Sequence, residues 1–324
     1  MKKGGWKYLN KMWWMVIIIT IISITATLLS QMVYKFIGYT IDYGLNYTGK
    51  DYSGALGFLF DGRMGEYGSY KLTVSLTLIM IVILVTEAML KYYLNYLQMK
   101  SQYKGSHYIR KEFFYRIKNK KAPYSQGSMI NLYLDDIYQH ASVYFYQIPG
   151  IIVSIVTIAF CLLLLNQISP LLLIAPLGLS PLLIYFSIKY HKEIYDRNLS
   201  YREVDGELKE SVNETLFSND QEKYDNFKKV NNEHKAERKI ISLVPNKYTL
   251  LLNSVKVIIY IVCCTLAGVL AIKGRVLIGE YLIFTKFVYT IYTEIINLIN
   301  YFINIRSALP KIQKVDKILE VENE

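Results

Sequence analysis

Six apolar blocks, each close to the length a helix needs to cross a bilayer, constrain this chain more than any other feature. They fall at 13–37, 72–94, 146–165, 170–190, 248–271 and 279–300, and about 20 apolar residues suffice to span the hydrocarbon core. Water is absent there, so each block must satisfy its backbone internally, as a helix. The expected fold class is an all-α membrane protein with six transmembrane helices. A soluble chain of 324 residues would be read as two domains; the block pattern and the 52% hydrophobic content exclude that reading. The fourth block carries Pro170, Pro176 and Pro181, which membrane helices tolerate where neighbouring groups repair the lost hydrogen bonds. The first block follows Lys2, Lys3, Lys7 and Lys11, as a signal core would. It is longer than such a core and lacks an A-x-A cleavage pattern. It is read as a retained helix, with Trp6, Trp13 and Trp14 at the membrane surface.

Basic residues orient the helices. With the N-terminus inside, segments 1–12, 95–145, 189–247 and 301–324 hold 28 Lys and Arg, against 5 in the opposite loops. The positive-inside bias then puts both termini in the cytoplasm, and the expected location is the plasma membrane. The net charge of +11 needs no nucleic acid to explain it. Cys161, Cys263 and Cys264 lie within apolar blocks and read as core residues; no zinc or disulfide spacing is present. His107, His140, His191 and His234 are scattered in or near the cytoplasmic segments and are expected to be solvated.

Loop lengths alternate. NQISP (166–170) and KGRVLIGE (273–280) force tight outer hairpins, whereas long inner segments separate blocks two and three and blocks four and five. Those inner segments are rich in Glu, Lys, Leu, Ile and Tyr and poor in Gly and Pro, so they favour helix. From Met129 to Leu165 the pattern predicts one continuous helix, with Pro149 as its only kink. Block four is expected to run on to about Leu208, and block five to begin near Asn231. An arm of about 25 residues would reach roughly 37 Å beyond the bilayer. At the tips the helical pattern breaks, at KAPYSQGS (121–128) and at VNETLFSND (212–220), where Leu216 and Phe217 stand in a polar setting. Two readings of the second tip stay open, a docking site and an ordinary turn with a local staple.

This architecture resembles the transmembrane domain of type I ATP-binding-cassette exporters, and local patterns extend the likeness along nearly the whole chain. IGYTIDYGL (37–45) is similar to the end of the family's first helix. RKEFFYRIKNKKAPYSQGSMINLYLDD (110–136), with Gly127 and Asp136, resembles its first inner segment, and LKESVNETL (208–216), with Glu210, its second. KGRVLIGEYLIFTKFV (273–288) is similar to the Gly-bounded turn into helix six, and RSALPKIQKVDKILE (306–320) to the linker toward a nucleotide-binding domain. The resemblance implies an N-terminal segment at 1–12, a transmembrane domain at 13–305 and a linker at 306–324. It departs from the family at Glu214, where glycine is usual, and in the long outer loop 38–71. No G-x-x-x-x-G-K-[ST] phosphate loop occurs, so the chain is expected not to hydrolyse ATP alone.

The resemblance also implies roles. The tips would be coupling helices seated on ATPase domains: Ala122, Pro123, Tyr124, Ser125, Gln126 and Gly127 in the first, and Asn213, Glu214, Thr215, Leu216, Phe217 and Ser218 in the second. ATP and Mg would bind that ATPase, supplied by a continuation of the chain or by a separate one. A second copy or homologous half would complete a domain-swapped dimer, a homodimer if the copies are identical. Substrate contacts are sought among ionisable and polar residues within the blocks, since these are costly in a membrane. The candidates are Glu87, Lys256, Lys286, Glu294, Asn297, Asn300 and Asn304. Glu87, Lys256 and Glu294 fall at one depth, so they would either pair with one another or line the cavity. The asparagines form a stripe expected to face the interior. A peptide, a drug-like molecule or a lipid would each suit such a cavity. The competing readings are an ion-coupled secondary transporter using Glu87 and Glu294, and a membrane scaffold that binds cytoplasmic proteins.

Overall fold

The structure is a computed structural model that describes residues 6–45, 69–118, 129, 130, 132–216 and 220–320. Its elements in order are α1 (Trp6–Asn10), α2 (Trp13–Tyr39), α3 (Ser69–Lys118), α4 (Ile137–Ser142), α5 (Ile148–Ile168), α6 (Pro170–Leu216), α7 (Gln221–Ile272) and α8 (Ile278–Glu320). Wide π-helical turns occupy Thr40–Leu45, Leu132–Asp136 and Val143–Gln147. No strand occurs among the described residues. Among the described residues, six helical stretches are long and apolar enough to cross a membrane, as the block pattern predicts. Their outward faces remain apolar: Ile21, Val82, Leu163 and Ile174 are all more than half exposed. Helices that are hydrophobic all round in this way suit lipid on one side and neighbours on the other.

Local chemistry explains how the long helices survive their breakers. Pro181 cannot donate the N–H that the Leu177 carbonyl would accept. The Ser180 hydroxyl donates to that carbonyl instead, at 2.9 Å. Pro149 likewise leaves the carbonyl four residues before it without its helical donor, and the wide turn at Val143–Gln147 comes directly before α5. The continuous helix expected over 129–165 is found over Leu132–Ile168, with wide π turns within it at Leu132–Asp136 and Val143–Gln147. At the other breaks the helices are longer than expected: α6 continues to Leu216, and α7 begins at Gln221. Asp220 sets that start, its carboxylate accepting the Glu222 backbone N–H at 3.0 Å, an N-cap. Only Ser169 separates α5 from α6, and 273–277 joins α7 to α8, with Gly274 at φ 68°. That left-handed residue closes the end of α7.

Among the described residues the bundle has two large apolar cores and a small third one of Val143, Ala308 and Ile312. At the short-turn end, Cys161, Leu183, Cys263, Phe284, Phe287 and Tyr292 join α5, α6, α7 and α8. At the opposite end, Leu9, Ile109, Phe113, Ile137, Phe145 and Val315 join α1, α3, the 132–148 region and the last turns of α8. Residues 306–320 thus run on as helix through Pro310, with Ala308, Ile312 and Val315 buried.

Candidate functional site

One carboxylate from a distant part of the chain sets the position of α8. Asp42, buried in the π turn after α2, accepts the backbone N–H groups of Gly279 at 2.6 Å and Glu280 at 3.1 Å. These are orphan donors of the first helical turn, and a negative charge is favoured there. The contact needs glycine: a Cβ on Gly279 would collide with the Gly38 carbonyl and with the Asp42 carboxylate. Glu280 completes the cap by accepting the Leu277 N–H at 2.8 Å. The Ile-Asp pattern at the end of the first helix therefore anchors the helix that carries most of the candidate cavity residues.

The structure does not bring Glu87, Lys256 and Glu294 together. Buried Glu87 accepts from Lys91, one turn along its own helix, at 2.5 Å. Glu294 accepts from Ser154 of α5 at 2.6 Å and from Asn297 at 3.3 Å. Of the two alternatives, mutual pairing is not what the structure shows: each acid is satisfied locally, by an i,i+4 partner or by neutral donors. Asn297 and Asn300 are half-buried, and Asn304 is exposed.

The two lysines are built differently. Lys256 of α7 is buried, its Nζ 4.4 Å from the Tyr289 ring centroid and 3.4 Å from the Tyr289 hydroxyl. Lys286 of α8 lies over the Tyr34 ring at 4.2 Å and 5.8 Å from Tyr289. Tyr260 meets Tyr289 edge to face, with centroids 5.8 Å apart. Beside them Thr290 donates to Gln31 at 3.5 Å, both buried. Among the described residues neither lysine has a carboxylate partner. A Lys at the centre of a membrane helix costs about 2.5–3.5 kcal/mol on insertion scales. A cation–π contact returns about 0.5–2 kcal/mol. The rings alone therefore leave the two charges short of full compensation.

Six membrane-capable helices, two extended arms and a tightly capped final helix form a recognisable set, and residues 16–294 match the profile of the ABC transporter transmembrane region. The chain belongs to the ABC transporter transmembrane family. No curated protein matches it. As an ABC transmembrane domain it has the type I helical fold and a role in membrane transport.

The arms of this ABC domain differ in what holds them. In the first, Arg110 of α3 donates to the carbonyls of Tyr133 at 3.0 Å and Leu134 at 2.7 Å. Asp136 pairs with Lys311 of α8 at 3.3 Å. In the second, His234 of α7 meets Asp205 of α6 at 3.2 Å and the Tyr201 hydroxyl at 3.0 Å. Lys209 joins Asp205 at 2.8 Å. Burial alone would raise the Asp205 carboxyl, but the hydrogen bonds and charges of Lys209 and His234 outweigh it and hold the pKa below its ordinary value. The expected solvation is corrected for two histidines: His234 and His140 are buried, His107 is exposed as expected, and the side chain of His191 lies outside the described residues. Asn213, Glu214, Thr215 and Leu216 form the end of α6, with Leu216 71% exposed. Phe217, Ser218 and the whole first tip, 122–127, lie outside the described residues.

Proposed function

We propose that this chain is the substrate-translocating half of an ATP-driven exporter that works as a dimer in the plasma membrane, with both termini and both arms cytoplasmic. The observation that carries the reading is the second arm. Between Leu183 and Tyr248 the only buried residues described are polar, Ser187, Ser211 and His234. Meanwhile Leu216 and Leu243 stand exposed. A helical pair about 40 Å long with no fully buried apolar side chain among its described residues is suited to packing on another surface. The partner copy and its ATPase supply that surface. The tips 122–127 and 213–219 dock in the ATPase, which binds ATP and Mg; this sequence has no phosphate loop to bind them itself. Closure of the ATPase pair moves the tips, and the long helices pass that motion to the membrane spans. The purified chain alone is therefore inactive as an ATPase.

The test is a cross-link. A single reactive cysteine replacing Ser218, in two differently tagged copies co-expressed with the ATPase, is expected to join one copy's tip to the ATPase associated with the other. Linkage confined to its own ATPase would overturn the crossed arrangement. ATP hydrolysis by the verified chain alone would overturn the division of labour.

A further inference from the structure

The acids and the bases of the membrane-capable helices are treated unequally. Glu87 has Lys91, Glu294 has Ser154 and Asn297, and Asp42 has the start of α8. Lys256 and Lys286 have aromatic rings and, among the described residues, no carboxylate. They come from different helices yet approach the same ring, Tyr289, at 4.4 and 5.8 Å. Two ammonium groups held around one ring repel each other, and in a low-dielectric setting that repulsion is strong. A tyrosine quadrupole softens it without neutralising it. An anion between them would relieve it, and a cation would raise it. The place is also reachable: Tyr289 is 41% exposed although Lys256 is buried. Tyr34, beneath Lys286, and Tyr260, edge to face with Tyr289, are half-buried rings that border this place with apolar surface.

We infer that Lys256, Lys286 and Tyr289 form an anion subsite, and that the substrate is an amphiphile with a carboxylate, sulfonate or phosphate head. The inference rests on the proposed exporter reading only in calling the bound molecule a substrate. The lysines grip the head from two helices, α7 and α8, that join through the short turn 273–277. Any movement of α7 against α8 changes the separation of the two charges and with it the grip on the head. Cationic amphiphiles are excluded by the same pair.

The experiment uses the whole chain in phosphatidylcholine nanodiscs without ATP, so a failure of ATP coupling leaves its result unchanged and the two readings fail separately. The probe is dansylaminoundecanoic acid, compared with its methyl ester and with a dansyl alkylamine of the same length. Saturable binding is measured above that of empty nanodiscs. The acid is expected to bind at least tenfold more tightly than the ester, and the amine not at all. Lys256→Gln with Lys286→Gln should erase the acid–ester difference, while Lys256→Arg with Lys286→Arg keeps it. Phosphatidylglycerol in the disc competes if a lipid head occupies the subsite, and leaves binding unchanged if the site selects a free amphiphile. Equal binding of acid and ester by the unaltered chain, which requires no variant to fold, overturns the inference. So does a difference that survives in a double Gln variant with an unchanged melting temperature.

Discussion

The two arms have similar lengths and opposite construction. The first, formed by α3 and the 132–148 region, is sealed from behind by the end of α8: Phe113, Ile109, Ile137 and Val315 share one buried core, and Asp136 is tied to Lys311. The second, formed by the far halves of α6 and α7, is zipped by polar contacts at His234, Asp205, Tyr201 and Lys209. Removal of apolar surface from water is the main force that fixes one helix against another. An arm with such a core has its position set within its own subunit; an arm whose fully buried described residues are all polar depends more on what it meets. The difference fits the proposed exporter reading, in which the second arm packs on a partner and the first does not need one.

The sharpest way to break the comparison is at the second tip. Replacing Leu216 and Phe217 by Asp in a complete transporter should stop transport and abolish stimulation of the ATPase by substrate. Each large apolar side chain that docks contributes about 1.5–3 kcal/mol, and two new charges add desolvation cost. Leu216 is 71% exposed in the single chain, so expression and thermal stability of the isolated domain should be unaffected. Normal transport would reduce this tip to a turn. A smaller effect compares the arms directly. Phe113→Ala in the buried core of the first should lower stability by about 3–5 kcal/mol. Leu243→Ala in the second should change the isolated chain by less than about 0.5 kcal/mol. Equal melting shifts would remove the distinction between the arms.

How much of this was legible in the sequence follows from the range of each interaction. The six spans and both arms were readable because they rest on long runs of local preference and apolar composition. The Glu87–Lys91 pair was available too, as an i,i+4 spacing; sorting charges by membrane depth obscured it. The contacts between helices were not available. Asp42 reaches Gly279 across 237 positions, and nothing local fixes that register. A lone histidine on a polar helix, such as His234, carries no sign of its partner in the sequence. The rotation that turns it toward Asp205 is set by how α6 and α7 pair. Likewise the lysines were visible as costly residues, but their convergence on Tyr289 depends on three helices packing together.

The smallest predicted effect tests whether the polar zip of the second arm acts on its own. Asp205 titrates below its ordinary value because Lys209 and His234 outweigh the effect of burial. A carboxyl whose folded pKa is depressed adds stability above its unfolded value, near 3.9, and loses it as pH falls through the folded value. Hydrogen exchange of backbone amides in α6 and α7 near these residues should therefore be faster in Asp205→Asn than in the unaltered chain at pH 6. The difference should shrink as the pH falls through the depressed folded pKa of Asp205. Exchange in the first arm should not respond to this substitution, since its core is apolar and lies elsewhere. Matching changes in both arms would mean that they are coupled within one subunit, and the second could not then be regarded as the part left open for a partner.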